Sequence, residues 1–94
     1  MELSETRKEI DRTDRELLSL FIRRMQLSEQ IAKEKAISGK PLTDPARERE
    51  ILCRVEKEAG CYAPYAVKLY RLLFSLSKSR QQEILDSFQG RLPR

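Results

Sequence analysis

Histidine is absent from the 94-residue chain, so no imidazole can serve as general base, metal ligand or pH switch. Cysteine is scarce. Cys53 and Cys61 have the spacing of neither a metal site nor a disulfide framework and read as reduced, partly buried thiols. Three glycines and four prolines leave little room for the many tight turns of a β fold. No apolar run approaches a membrane span, and the acidic, amphipathic N-terminus is unlike a signal or transit peptide, which predicts a cytosolic protein. Charge of one sign is only mildly in excess: 19 Lys and Arg against 15 Asp and Glu leave a net +4. That favours an anionic partner but is too small and scattered to imply nucleic acid.

What remains is 39% hydrophobic and 36% charged, the balance of a single soluble helical domain with a modest core, spanning residues 1–94. Its organising stretch runs from Leu3 to Ile37. Leu3, Arg7, Ile10, Asp14, Leu17, Phe21, Arg24, Ser28, Ile31 and Lys35 follow one another in alternating steps of four and three, the seam of a helix packed along another helix. Arg7, Arg24 and Lys35 occupy places on that seam, where an unpaired cation costs several kcal/mol. Asp14 is the only carboxylate on the same line, so the missing negative charge points to a ligand.

This first helix, expected over about 3–37, has a fair N-cap in Ser4, and Gly39 and Pro41 stop it. Its middle, from Leu17 to Ala32, is apolar on more than one face and should be packed by several neighbours. A rod of roughly 50 Å exceeds what a compact monomer of this length needs, and a second copy is its simplest cover. Asp44-Pro45 opens a second helix to about residue 59, with Ala46, Ile51, Leu52 and Val55 as its inner stripe and Gly60 at its end. A third helix runs over about 64–88 from Pro64, with a stripe of Ala66, Leu69, Leu73, Leu76, Ile84, Leu85 and Phe88. Ser77 and Gln81 interrupt that stripe on the same line as the core residues. The tail Gln89–Arg94 reads as disordered.

Polar groups therefore sit on inward lines of all three helices: Arg7, Arg24 and Lys35; Asp44, Arg47 and Glu48; Ser77 and Gln81. Singly, each has a structural explanation, such as Arg7 with Asp14, Arg24 with a partner on the third helix, or Arg47 with a neighbouring Glu. Together they describe a polar cavity for a dianion. Arg7 and Arg24 stand roughly 25 Å apart along the axis and Arg24 and Lys35 roughly 16 Å. One small molecule can lie between the second pair but cannot touch both members of the first. An antiparallel pair of first helices crossing near Leu17–Phe21 would bring Arg7 of one chain to the 24–35 region of the other, completing two sites in trans.

The ordered set Arg7-x-x-Ile10-Asp11-x-x-Asp14-x-x-Leu17-Leu18, Arg23-Arg24, Lys35, Asp44-Pro45-x-Arg47-Glu48-x-x-Ile51-Leu52 and Ser77-x-x-x-Gln81 resembles the all-helical chorismate mutases over nearly the whole chain. Thr13 and Ile22 depart from the usual pattern, and neither is a site position. The resemblance implies an all-α, three-helix chain in an intertwined homodimer. It implies conversion of chorismate to prephenate without a cofactor or metal, in phenylalanine and tyrosine biosynthesis. It assigns Arg24 and Arg7 from the other chain to the two substrate carboxylates, Lys35 and Gln81 to the ether oxygen, and Glu48 with the Asp44 region to the ring hydroxyl. Arg47 and Ser77 would complete the carboxylate end, and Ile31 would line the wall. Two other readings compete: an isochorismate-pyruvate lyase of the same fold, and a non-catalytic helical interaction module, which would carry its cations exposed on one face.

Overall fold

The computed structural model describes residues 2–89. They form three α-helices, α1 (Leu3–Ser38), α2 (Pro45–Glu58) and α3 (Ala63–Gln89), with a 3₁₀ turn at Gly60–Tyr62 leading into α3. Among the described residues there is no strand, and the class is all-α. No described helix is long and apolar enough to cross a membrane.

The ends of the helices follow from local chemistry. Gly39 closes α1 at φ 73°, a left-handed conformation that glycine adopts without a side-chain clash. Asp44 caps α2 by accepting the Arg47 amide at 3.1 Å, and Pro45 supplies a first helical residue that has no amide to satisfy. The start of α1 differs from expectation. Glu2, not Ser4, holds the capping position, because its carbonyl already accepts the Thr6 amide at 3.0 Å and the Thr6 hydroxyl at 3.1 Å. Ser4 is thereby drawn into the first turn. At the other end Gln89 is still helical, and residues 90–94 of the expected tail lie outside the described residues. So does the side chain of Phe88.

The third helix is the central element, with α1 and α2 both packed on it. The buried apolar residues are Ala32 on α1, Val55 on α2 and Phe74 on α3; Ser28, Ser77 and Gln81 are as deeply buried beside them. The most sheltered part of the chain is thus half polar, and the candidate site is built there. An ion pair on the flank fastens the same two helices: Arg80 donates to Glu29 of α1 at 3.0 Å and to Glu83 at 3.0 Å. Those hydrogen bonds, Glu29's first, raise the Arg80 pKa above its ordinary value.

Much of the expected stripe is left bare. The chain measures 62 × 27 × 14 Å, with a radius of gyration of 17.1 Å against about 12 Å for a compact chain of this length. Leu17, Leu18 and Leu20 are 57%, 59% and 68% exposed, so the start of the apolar middle of α1 is largely uncovered within the chain. Leu69 and Leu76 of α3 are also exposed. Ala46 faces solvent rather than the core, since nine residues at about 100° each place it opposite Val55. Both cysteines are exposed, not partly buried. Cys53 lies two residues from Val55, roughly 200° away around α2, and Cys61 falls in the 3₁₀ turn.

Ala32 has no exposed surface where α1 meets α3. Ala32→Leu should therefore destabilise the protein by about 1–3 kcal/mol through overpacking, read as a lower urea midpoint at unchanged slope.

Candidate active site

A cleft of about 580 Å³ opens between the C-terminal half of α1, the start of α2 and the middle of α3. Eight of the nine expected site residues line it: Arg24, Ile31, Lys35, Asp44, Arg47, Glu48, Ser77 and Gln81. Arg7 does not. It lies on the exposed N-terminal half of α1, away from the cleft.

Helical spacing explains the convergence. Arg24, Ser28, Ile31 and Lys35 recur every three or four residues on α1, while Tyr70, Phe74, Ser77 and Gln81 do so on α3. The two stripes face one another across the cleft. Arg24 donates from Nη1 to the Ser77 Oγ at 2.6 Å. The Ser77 and Ser28 oxygens are 3.0 Å apart, and Ser28 Oγ lies 3.0 Å from the Arg24 carbonyl. One proton arrangement satisfies all three contacts: the guanidinium donates to Ser77, Ser77 to Ser28, and Ser28 to the Arg24 carbonyl. The guanidinium carbon also stands 5.9 Å over the Phe74 ring, within cation–π range. Arg24 is thus held by neutral groups, and most of its five donors remain for a ligand.

Lys35 is held in a similar way. Gly39 turns the chain back over the end of α1, and the Leu42 carbonyl accepts from Lys35 Nζ at 2.8 Å. An ammonium has three donors, so two are left. Among the described residues neither Arg24 nor Lys35 has a carboxylate within ion-pair distance. Arg47, in contrast, pairs with Glu50 on the helix surface at 3.2 Å, as the structural explanation foresaw. Arg7 and Asp14 form no ion pair.

The lining also contains residues not foreseen. Arg54 and Lys78 bring the cations around the cleft to five, against the carboxylates of Asp44 and Glu48. Glu48 is paired with Lys78 at 2.9 Å. Arg54 could have been found, standing seven residues after Arg47 on the same face of α2. Ser28 lay on the seam, but its partner did not show in the spacing. Lys78 carried no signal, being one residue off the Ser77–Gln81 line. The site is a net positive slot with both apolar and charged walls, suited to an anion, and among the described residues it holds neither a nucleophile beside a base nor a group of side chains able to bind a metal.

Ser77→Ala removes the buried oxygen that Arg24 donates to, and should cost about 1–2 kcal/mol of stability, measured by urea unfolding.

The family model described as chorismate mutase type II matches residues 6–82, a span that contains every expected site residue from Arg7 to Gln81. The chain is 32% identical to a chorismate mutase of Methanocaldococcus jannaschii, over 95% of this chain and 93% of that protein. It is 38% identical to a bifunctional chorismate mutase/prephenate dehydratase of Aquifex aeolicus, over 95% of this chain and 26% of that one. With the bifunctional protein of the same description from Escherichia coli K12 it shares 30% identity, over 92% and 23%. It therefore spans nearly all of the first relative and about a quarter of the other two. With its helices, its spacing and its cleft in agreement, the chain belongs to the type II chorismate mutase family.

Proposed function

We propose that the chain converts chorismate to prephenate. The observation that carries this reading is the pair Arg24 and Lys35, turned into one cleft and held by neutral oxygens rather than acids. The reaction is an intramolecular rearrangement in which an ether C–O bond breaks as a C–C bond forms. Electrons move within one molecule, so the chemistry calls for no nucleophile, base, metal or redox cofactor. It calls for a flexible dianion to be held in a compact, chair-like shape, and for stabilisation of charge growing on the ether oxygen.

The residues divide along those two needs. The planar guanidinium of Arg24 fixes one carboxylate and, with Arg47 and Ser77, forms the carboxylate end; Arg47 releases its exposed pairing with Glu50 to do so. Selecting the reactive conformer removes much of the entropic barrier. Lys35 and Gln81 meet the ether oxygen, where their attraction is stronger in the transition state than in the substrate. Glu48, beside the capping Asp44, accepts from the ring hydroxyl, and Ile31 closes the wall.

The second carboxylate needs another cation. We assign it to Arg7 of the partner subunit in an isologous homodimer whose two-fold axis lies near Leu17–Phe21. The bare leucines of α1 support this assembly, as does the distance between Arg7 and the cleft. A cytosolic location belongs to the same reading. A lyase or a non-catalytic module is separated by one assay: chorismate yields prephenate here, a lyase releases pyruvate only from isochorismate, and a module changes neither.

Arg24→Ala and Lys35→Ala should each lower kcat/KM for chorismate by about 10²-fold or more with the dimer intact by sedimentation. Near-normal rates would contradict the roles. Co-expressing Arg7→Ala and Arg24→Ala chains should restore about a quarter of wild-type activity, because half the dimers then contain one intact site of two. No recovery would exclude sites completed in trans.

A further inference from the structure

Three of the five ion pairs among the described residues are local, between residues three apart on one helix. Two cross between helices. Arg80–Glu29 lies on the flank, whereas Lys78–Glu48 joins α3 to α2 at the cleft wall, with an N–O distance of 2.9 Å.

Glu48 and Lys78 line a second hollow as well, of about 400 Å³, together with Leu52, Arg71, Ser75 and Ser79. With Phe74, which also lines both, the pair is therefore the partition between cleft and hollow, and Glu48 borders two open spaces. What keeps it at the partition is Lys78. Among the described residues no other cation is within ion-pair distance of Glu48. Arg71 faces the hollow from α3, so without Lys78 it would draw the carboxylate away from the cleft.

We infer that Lys78 is a positioning residue for the reaction: it holds the Glu48 carboxylate at the partition, where that carboxylate meets the substrate's ring hydroxyl, and so makes the hydroxyl a determinant of specificity. The inference rests on the mutase reading above. Lys78 itself touches no reacting atom. Its effect reaches the substrate only through Glu48 and must vanish for a substrate that has no hydroxyl to offer. A brace that merely tied α2 to α3 would affect both substrates alike.

The test compares kcat/KM for chorismate and for the same compound with hydrogen in place of the ring hydroxyl, in the wild type and in Lys78→Met, Lys78→Arg and Arg54→Met. The wild type should prefer the hydroxyl compound by about tenfold or more. Lys78→Met should lose most of that preference, chiefly through slower turnover of chorismate, and Lys78→Arg should restore it. Arg54→Met removes an equal charge from the cleft lining without touching Glu48, and should weaken both substrates equally. Lys78→Gln takes the place of Lys78→Met if the latter does not fold. An active wild type whose Lys78→Met and Lys78→Gln variants keep the full preference overturns the inference alone. A wild type that leaves chorismate unchanged overturns the mutase reading and this inference with it.

Discussion

Holding positive charge in a sheltered place without neutralising it is the constraint on which the rest of this structure depends. A half-buried guanidinium loses hydration and would ordinarily recruit a carboxylate. Here Arg24 receives the Ser77 hydroxyl, which is joined to the Ser28 hydroxyl, and Ser28 in turn donates to the arginine's own carbonyl; the guanidinium also receives the face of Phe74. Lys35 receives a backbone carbonyl. Dipoles and a ring quadrupole orient these cations but leave their charge uncompensated. That is the difference between a salt-bridged core and a receptor for a dianion.

The fold serves that constraint at the expense of ordinary packing. Ser28, Ser77 and Gln81 take positions at the centre of the chain that would otherwise hold aliphatic side chains, and among the described residues no large side chain is fully buried. The helices that carry them are well specified at their ends, by Gly39 and by the Asp44 cap. Register between α1 and α3 is supported twice, by the hydroxyl pair in the site and by Arg80 with Glu29 outside it. Cooperation between a polar interior and precise helix ends places eight residues from three helices around one cleft.

Most of this was legible in the sequence because helices advertise themselves by period. The seam from Leu3 to Lys35, the Asp44-Pro45 opening and the Ser77–Gln81 interruption are all patterns of spacing, and each positions a site residue. What period cannot express is pairing across helices. The Ser28–Ser77 contact, the Leu42 carbonyl over Lys35 and the Lys78–Glu48 bridge depend on how helices are rotated and offset against each other. Ala46 and Cys53 show the same boundary on the apolar side. Each is a small or apolar residue whose angular place around α2, not its type, decides that it faces solvent. Arg7 shows it at the largest scale. The seam places it in line with Arg24, but a straight helix carries it well beyond reach of the same molecule.

The half-clothed state of α1 has a consequence for how the protein behaves in dilute solution. In the homodimer proposed above, a helix of 36 residues with its leucines in water would gain its stability by meeting another chain, so folding and encounter would become a single equilibrium. The melting temperature of such an assembly would rise with the amount of protein in the tube, and activity per chain would fade on serial dilution although no bond within any chain had changed.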